Sequence, residues 1–422
     1  MADLAGTTGR DRDAGFVQGA LLTFVPPMIV VTVVVAVPIL PAIIRAFPDQ
    51  PNIAQLVPLV AVLPTLALAM TSLAAGALGA KVGRRRLLIL STAVFALSAI
   101  MPIWLSSFML ILVSRAVTGL ALGLMIPSAV ALTGDYYSGT KLQRWLGAQA
   151  GVSAVIGVLT SATSGALGEL NWRYAFLPLF AGALLLVALM VVRAPGIRPA
   201  QTGQSATLGL HHAHAGPPAT PEADGKAPWL TLLSIFGLSV VGSAIIFPQG
   251  FELGALLHEK ALGSSLLTGL GISLMAGSAA VAAFSLGWLR RLSAPAKTAL
   301  AIAAAGVGTL LLVGATTLAP LMLGIALVGV SHGLMNPVLS TWLLERTPER
   351  LRGHAVGVYT TLTFLALFSA PLVARWAAVD LGSSSAALRL FMIADFVVAA
   401  VVALTLFRPS SPAIASAPIE RS

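Results

Sequence analysis

Four ionisable side chains lie within long apolar stretches of this chain: Arg115, Glu252, His332 and Asp395. An ionised group costs about 2.5 kcal/mol or more at the centre of a bilayer, so such residues are functional candidates by default. Burial favours a neutral carboxylic acid and histidine titrates near neutrality, so Glu252, His332 and Asp395 could each exchange a proton. All four are predicted as proton-coupling candidates. Snorkelling, an aqueous position and interhelical hydrogen bonds are the structural alternatives.

The elements that must position these residues are membrane helices. The 422-residue chain is 57% hydrophobic and 9% charged, whereas soluble domains carry about 25% charged residues. A spanning helix needs about 20 mostly apolar residues. Twelve stretches qualify, near 22–44, 55–79, 87–105, 108–133, 146–166, 174–193, 229–252, 264–289, 297–316, 321–343, 354–376 and 387–407. The first is too long for the apolar region of a signal peptide and is predicted to remain as a helix.

The basic residues indicate how these helices are oriented. The formal net charge is +10, and most of the 25 lysines and arginines fall on the side of the N-terminus. By the positive-inside rule that side is cytoplasmic, both termini lie there, and the number of spans is even. The charge therefore predicts a multi-pass protein of the plasma membrane, the inner membrane in a bacterium. It gives no reason to expect a nucleic-acid partner.

One sequence pattern occurs twice, at 119–135 and at 329–345, a shift of 210 residues. Each copy has two glycines four residues apart, a Leu-Met step, a proline and a final carboxylate. The general similarity of apolar helices explains the glycines alone but not the complete register. Because transporters are often built from two similar halves, the repeat predicts an internal duplication in which these two helices are counterparts.

The carboxylates that close the two copies, Asp135 and Glu345, stand at helix ends beside basic loops. Ion pairs there would hold helix ends together while the cytoplasmic side is closed and would break as it opens. Solvated charges, each contributing at most about 1 kcal/mol, are the alternative. The predicted cytoplasmic gate comprises Lys81, Arg84, Arg85, Asp135, Arg144, Arg290, Arg291, Glu345 and Arg352. In it Asp135 pairs with one of the first three arginines and Glu345 with one of the last three.

Uncharged polar residues are candidates for lining a substrate cavity: Gln149, Asn336, Tyr359 and Thr363. Hydrogen bonds between helices explain them almost as well. The first helix has no acidic residue, which suggests a neutral, amphipathic or anionic substrate. The chain has no cysteine, which excludes disulfides and thiolate metal sites. With no nucleophile–base pair, metal-ligand cluster or phosphate loop in the spans, we expect no enzyme activity, no cofactor and no metal.

The loop after the second stretch is more specific. Residues 76–86 read Gly-Ala-Leu-Gly-Ala-Lys-Val-Gly-Arg-Arg-Arg. This resembles the signature loop of the major facilitator superfamily, Gly-x-x-x-Asp-Arg/Lys-x-Gly-Arg-Arg/Lys. Ala80 stands in the acidic position, where the family has a carboxylate that helps to latch the two halves together.

Three further segments resemble patterns of that family, in the same order. They are Arg-x-x-x-Gly-x-x-x-Gly at 115–123, Asn-Trp-Arg-Tyr-Ala-Phe at 171–176 and Pro-x-x-x-Arg-Gly at 348–353. The helix-five pattern of drug/proton antiporters, Gly-Pro-x-x-Gly-Gly, is poorly kept in the Thr-Ser-Ala-Thr-Ser-Gly of 160–165. That departure weakens the likeness to the antiporter branch.

The resemblance implies an all-α membrane protein of twelve transmembrane helices in two pseudo-symmetric six-helix bundles. The resemblance also implies transport by alternating access around a site at the membrane midplane. It implies that Arg115 has a coupling role near the proton or the substrate. The leading expectation is proton-coupled export of a small amphipathic organic molecule. Uptake or facilitated diffusion of a small metabolite or organic anion is the alternative, and a non-transporting receptor is a distant one. The expected partners are a small-molecule substrate, a proton or other coupling ion and the lipid bilayer; the protein is expected to be a monomer.

Composition also predicts the boundaries of the chain's parts. The linker between the bundles contains six prolines, including Pro217, Pro218 and Pro221, and three histidines, His211, His212 and His214. A metal-binding tract is the alternative to a solvated linker there. The predicted parts are a disordered segment 1–15, a six-helix bundle 16–193, a cytoplasmic linker 194–228, a second bundle 229–408 and a disordered tail 409–422.

Overall fold

The computed structural model describes residues 15–137, 139–192 and 229–404. The predicted linker 194–228, the tail 409–422 and all but the last residue of the predicted segment 1–15 lie outside that part of the chain. Within it, every regular element is an α-helix or a short 3-10 helix. The prediction of an all-α protein is confirmed.

Eleven helices are long and apolar enough to cross a membrane in the described part of the chain, and a twelfth span bends by 60° between Ser72 and Ala74. The first half contains α1 (Phe16–Ala46), α2 (Leu59–Val82), α3 (Arg84–Ile103), α4 (Phe108–Tyr136), α5 (Gly139–Leu170) and α6 (Trp172–Val191). The second contains α7 (Trp229–Glu259), α8 (Ser265–Ser285), α9 (Ala294–Gly314), α10 (Leu318–Arg346), α11 (Glu349–Asp380) and α12 (Ser384–Leu404). The predicted spans are confirmed, with ends that shift by several residues.

Prolines divide α1 into three helical segments, Phe16–Thr23, Pro27–Val34 and Leu40–Ala46. Pro27 and Pro41 occupy the first turn of a segment, where a backbone N–H has no helical partner and its loss costs little. These breaks lie within one span, Phe16–Ala46.

The span α7 also consists of two helical segments, and the second begins at a proline. The helix Trp229–Ile246 ends just before Pro248, which opens a second segment, Pro248–Glu259. The sequence prediction ended this span near residue 252, whereas the span continues to Glu259. Only 2% of the surface of Glu252 is exposed, so the aqueous position considered as an alternative for this residue does not apply.

The two halves pack their helices in the same way. In the first half α4 packs against α2 and α3, α3 against α6, and α1 against α5. In the second half α10 packs against α8 and α9, α9 against α12, and α7 against α11. Each helix therefore has a counterpart six places later, which is the pseudo-symmetry that the repeated pattern predicted.

The repeated glycines produce equivalent helix contacts in the two halves. A Cβ added to Gly119 of α4 would lie 2.3 Å from the carbonyl oxygen of Pro64 in α2. A Cβ added to Gly329 of α10 would lie 2.3 Å from the carbonyl oxygen of Met275 in α8. Small residues allow membrane helices to approach this closely, so the repeat is a helix-packing motif.

Candidate functional site

We name the membrane face where α1 begins and α12 ends the terminal face, and the opposite face the far face. The halves meet chiefly where α5 crosses α8 and where α2 meets α11. At the α5–α8 crossing, Ser161 Oγ donates to the carbonyl of Gly269 at 3.0 Å. Ser273 Oγ donates to the carbonyl of Val158 at 2.7 Å. These bonds join the halves from the middle of the spans outward.

Two further links between the halves lie at the far face. Glu169, at the end of α5, accepts hydrogen bonds from Ser264 Oγ at 2.6 Å and from the N–H of Leu266 at 2.8 Å. It thereby satisfies donors at the N-terminus of α8, which a carboxylate also stabilises through the helix dipole. Arg375 Nε of α11 donates to the carbonyl of Ala54, between α1 and α2, at 3.0 Å. Both links close the far face.

The terminal face is arranged differently. One apolar core of buried residues runs through the first half and into the far-face part of the second, where it includes Leu257, Ile272 and Val328. A separate core, containing Leu232 and Leu343, holds together the terminal-face part of the second half alone. Among the described residues, no buried apolar contact therefore continues between the halves on this side.

Glycines along α5 and α8 show the same divergence. Gly165 and Gly269 lie against each other, and a Cβ on either would come within 3.0 Å of the other's backbone. Toward the terminal face, a Cβ on Gly151 or Gly277 would meet no atom within 4 Å. The space between the halves therefore opens to the terminal face and closes at the far face.

Arg115 lies in the first half and is fully buried. Its Nε donates to the carbonyl of Val60 in α2 at 2.7 Å, and Nη2 donates to the carbonyl of Thr32 in α1. Its guanidinium also lies over the ring of Phe176, 5.7 Å from the ring centre. Nη1 of Arg115 and the hydroxyl of Thr32 are buried without a hydrogen-bond partner among the described residues. A full positive charge is thus held by backbone carbonyls of α1 and α2, and no carboxylate among the described residues pairs with it.

Glu252, unlike Arg115, is a buried ionisable side chain that has a partner of opposite charge. Its Oε2 accepts from Arg375 Nη1 at 3.1 Å and from Ser384 Oγ at 2.8 Å. Because Arg375 also bonds Ala54 of the first half, this buried ion pair supports the far-face closure. The sequence analysis did not single out Arg375, because no spacing pattern connects it to Glu252.

Asp395 lies in the middle of α12 with no exposed surface. Its Oδ2 accepts from Gln249 Nε2 of α7 at 2.7 Å, while its Oδ1 and Gln249 Oε1 have no partner among the described residues. His332 of α10 bonds the carbonyl of Val328 through Nδ1 at 2.9 Å, and its buried Nε2 has no partner in that part of the chain. The ring of Phe247 lies 5.9 Å from that of His332. These unsatisfied polar atoms surround the break in α7.

Three of the predicted cavity residues form one cluster in the second half. Tyr359 donates to Asn336 Oδ1 at 3.3 Å, and Thr363 donates to the carbonyl of Tyr359 at 2.8 Å. Ser239 of α7 shares a hydrogen bond of 2.6 Å with the Thr363 hydroxyl. Asn336 is exposed, whereas Tyr359 and Thr363 are buried.

The fourth cavity candidate lies elsewhere. Gln149 is 5% exposed and donates to Thr133 Oγ1 at 3.3 Å. It therefore sits between α4 and α5 of the first half, and it offers little surface to the opening between the halves in this conformation.

Among the side chains that the structure describes, the predicted gate residues do not form one network. Arg84 Nη1 contacts both carboxylate oxygens of Asp135, at 2.6 Å from Oδ2, and both side chains are about one-third exposed. Arg85 donates to the carbonyl of Leu189 at 2.8 Å and also to that of Val192, at the end of α6. The Arg84–Asp135 pair lies wholly within the first half, so in this conformation it does not join one half to the other. Its breakage as the terminal side opens stays a prediction.

The counterpart carboxylate, Glu345, lines a cavity of about 560 Å³ between the terminal ends of α8, α9 and α10, together with Lys297 and Trp342. Within the described side chains it makes no ion pair. The side chains of Arg290 and Arg352 lie outside the described part of the structure, and Lys81, Arg144 and Arg291 are exposed. No group of three or more metal-ligating side chains is arranged to hold an ion within the described ranges.

The sequence matches the family described as Major Facilitator Superfamily over residues 20–371. No curated protein matches the chain. Its fold is similar to that of a bacterial homologue of the human lysosomal transporter Spinster in an inward-facing, unoccupied conformation. The two are 15% identical, with a TM-score of 0.67 over 93% of this chain and 96% of that one.

Two other solved structures share the fold. The human organic anion transporter TETRAN is 18% identical, with a TM-score of 0.60 over 92% of this chain and 99% of that one. A D-xylose–proton symporter is 14% identical, with a TM-score of 0.65 over 92% of this chain and 97% of that one. Since the family match covers most of the sequence and the two halves repeat one helix arrangement, the chain belongs to the major facilitator superfamily.

Proposed function

We propose that this protein is a proton-coupled secondary transporter that exports a small amphipathic organic molecule by alternating access. The observation that carries the proposal is the asymmetry between the two faces. Hydrogen bonds and a common apolar core join the halves at the far face, whereas the terminal parts of α5 and α8 diverge. A space that opens to one face only is one of the two states that alternating access requires.

The opening is assigned to the cytoplasm. Most lysines and arginines of the chain lie on the same side as the two ends of the helical bundle, which is the terminal face. The positive-inside rule assigns such a face to the cytoplasm. The conformation is then inward-open, in the plasma membrane, which would be the inner membrane of a bacterium. We take the transporting unit to be the monomer because both halves that form the opening come from one chain.

The coupling proposal rests on polar atoms that have no partner in the spans. Arg115 in the first half and Asp395 and His332 in the second each retain a buried nitrogen or oxygen without a hydrogen bond among the described residues. An unsatisfied buried polar group costs about 1–3 kcal/mol, so a fold that keeps several of them is expected to use them. Glu252, in contrast, accepts from both Arg375 and Ser384 through Oε2, and the cationic partner assigns it to the far-face closure.

The substrate is proposed to reach the polar cluster of Asn336, Tyr359 and Thr363. Amide and hydroxyl groups recognise neutral or anionic polar atoms, and the apolar walls around them suit an amphipathic molecule. The positive charge of Arg115 has no carboxylate partner among the described residues, which favours an anionic substrate over a cationic one. The similar fold of the organic anion transporter is compatible with that choice.

Uptake, or facilitated diffusion of a small metabolite, is the second candidate. It is favoured by the similarity to a D-xylose–proton symporter and to a nucleoside transporter, which shares a TM-score of 0.67 at 14% identity over 93% of this chain and 100% of that one. The same alternating-access geometry serves either direction, so the difference lies in how the proton gradient is used.

Purified protein in proteoliposomes tests the proposal. A thermal-shift screen first identifies a ligand, because a compound that binds only the folded state raises the unfolding temperature. Flux of that ligand is then measured with and without an imposed pH gradient, in both directions. Export predicts that protons moving inward drive substrate outward. Flux in the same direction as the protons would select uptake, and flux that ignores the gradient would leave only facilitated diffusion.

A further inference from the structure

The contact between Asp395 and Gln249 differs from an ordinary interhelical hydrogen bond. Both side chains are buried, with 0% and 1% of their surface exposed. One oxygen of each, Asp395 Oδ1 and Gln249 Oε1, has no hydrogen-bond partner among the described residues. A carboxylate in an apolar interior normally has both oxygens engaged, because desolvation of an ionised group is costly. Asp395 Oδ1 is therefore a buried acceptor that no donor among the described residues satisfies.

The surroundings supply no compensating charge. The elements packed against α12 are α7, α9 and α11. Their ionisable groups with described side chains are Glu252, His258 and Glu259 in α7, Lys297 in α9, and Tyr359, Arg375 and Asp380 in α11. Arg375 pairs with Glu252, and within the described residues none of these groups bonds Asp395. On α12 itself, Arg389 is exposed.

The position of the pair connects it to a movable element. Gln249 follows Pro248 directly, at the start of the second segment of α7, and its Nε2 also bonds the carbonyl of Ile245 in the first segment, at 3.3 Å. The amide thus bridges the break in the helix while it holds Asp395. Asp395 is about 16 Å along α12 from Ser384 at the far face, near the middle of a bilayer core of about 30 Å.

We propose that Asp395 and Gln249 form a proton-binding site at the break in α7, and that Asp395 is a neutral carboxylic acid in this conformation. The proton sits on Oδ1, the oxygen without a partner. When the α7 segments rearrange and water enters, the O–H bond breaks, the electron pair stays on Oδ1, and the proton passes to water. This assignment rests on the proposed proton coupling for its role in transport, but the site itself stands on the contacts above.

The occupant is a proton rather than a sodium ion because the ligand set is small. Sodium would need several oxygens around it, and this site offers only Asp395 Oδ1 and Gln249 Oε1 as unengaged side-chain oxygens among the described residues. A Cβ built on Gly306 of α9 would lie 3.3 Å from Asp395 Cβ, so α9 and α12 pack closely beside the site. The choice of a proton rests on the number of unengaged oxygens.

Dicyclohexylcarbodiimide tests the site directly, since it reacts with protonated carboxyl groups in apolar surroundings and adds to the acid as a stable acylurea. Purified full-length protein is treated across a range of pH and the modified residue is identified by mass spectrometry. Asp395 should be labelled, and the labelling should fall as pH rises. Glu252, paired with Arg375, should remain unlabelled and is the internal control. The Gln249→Leu variant lacks the N–H donor that favours the ionised form of Asp395. Labelling of Asp395 should therefore persist to higher pH in this variant than in the wild type.

Infrared difference spectra between high and low pH provide a second measurement that needs no reagent access. A protonated carboxyl band should appear in the wild type and be missing in Asp395→Asn, which keeps the hydrogen bond to Gln249. The absence of both the acylurea and the band would overturn the proposal. Labelling that sodium chloride suppresses, and choline chloride does not, would overturn the choice of a proton.

Transport of Asp395→Asn separates this inference from the proposed function. The variant should still equilibrate substrate but should lose the response to a pH gradient. If wild-type flux ignores the gradient while Asp395 is labelled, the coupling proposal fails and the proton site remains. If Asp395→Asn responds to the gradient as the wild type does, Asp395 does not carry the coupled proton.

Discussion

Gly165 of α5 and Gly269 of α8 lie back to back across the boundary between the two halves. A Cβ built on Gly165 would lie 2.9 Å from the Cα of Gly269, and one built on Gly269 would lie 2.8 Å from the Cα of Gly165. Both distances are shorter than a normal carbon–carbon contact, so no larger residue fits at either position without separating the helices. This crossing is the point from which the halves diverge toward the terminal face.

Replacing Gly165 with leucine is expected to force the far-face ends of α5 and α8 apart. The added side chain would meet the backbone oxygen of Ser265, 2.6 Å from the new Cβ, and backbone yields less readily than a side chain. Cysteines at Glu169 and Ser264, on a chain that has no cysteine of its own, report the separation. A short bifunctional thiol reagent should cross-link the two cysteines efficiently in the parent, the variant that carries only these two substitutions. Cross-linking should be several-fold less when Gly165→Leu is added.

Gly151→Leu is the matched control on the same helix, because a Cβ there meets no atom within 4 Å. Cross-linking at the far face should stay at the parent level in this variant, while transport slows if the opposite state must close around Gly151. Equal cross-linking in the two leucine variants would show that the glycine contact does not hold the far face together.

Breaking the buried ion pair is expected to destabilise the far-face closure. Arg375→Met leaves Glu252 buried without a cation, and such a change typically costs about 3–5 kcal/mol. Glu252→Gln alone should cost less, because Ser384 still bonds the remaining side chain. Unfolding in detergent, followed for both single variants and the double variant, measures the interaction. The double variant should recover most of the loss, whereas additive losses would show that the two side chains do not depend on each other.

Arg115 is expected to contribute to both stability and coupling. Lysine is a point charge and cannot reach the carbonyls of Thr32 and Val60 together, so Arg115→Lys and Arg115→Met should each lower the free energy of unfolding by about 1–3 kcal/mol. Gradient-driven flux should be lost in both. Arg173→Met is the matched control, because Arg173 also donates to backbone carbonyls, including that of Pro102 at 3.3 Å. A loss of flux in the control as well, or retained flux in Arg115→Met, would assign Arg115 a structural role alone.

Replacing the first glycine of the repeated pattern is expected to destabilise the protein to a similar extent in the two halves. Gly119→Ala and Gly329→Ala each place a methyl group 2.3 Å from a backbone oxygen of the neighbouring helix, and such overpacking costs about 1–3 kcal/mol. Gly134→Ala, also in α4, meets no atom within 4 Å and should gain about 0.5–1 kcal/mol through helix propensity. Thermal unfolding of the three variants checks the order. A neutral Gly329→Ala would contradict the packing role of the second copy.

Hydropathy and the repeat predicted most of the fold. A span is a local property, since about 20 apolar residues suffice to define it whatever their partners are. The offset between 119–135 and 329–345 also predicted correctly that α4 and α10 are counterparts. The predicted range 229–252 ended too early for a local reason as well, because Pro248 begins a new helical segment that runs to Glu259.

The partners of the candidate residues required the tertiary structure. Large apolar side chains face outward along most spans, so the sequence pattern does not show which side of a helix faces its neighbours. Gln149 was assigned to the cavity for this reason, although it bonds Thr133 within one half. Arg84, Arg85 and Arg144 were equally plausible partners of Asp135, and only the structure distinguishes them.

The sequence by itself determined that the chain is a duplicated bundle of membrane helices, and it identified the few ionisable groups that those helices bury. The tertiary structure decided which of them are paired. Glu252 meets Arg375 across 123 positions of sequence, whereas Asp395 meets only the amide of Gln249 among the described residues. The physical reason is that hydrophobicity is carried by each residue alone, whereas an ion pair depends on the rotation and depth of two helices that distant parts of the chain hold in place.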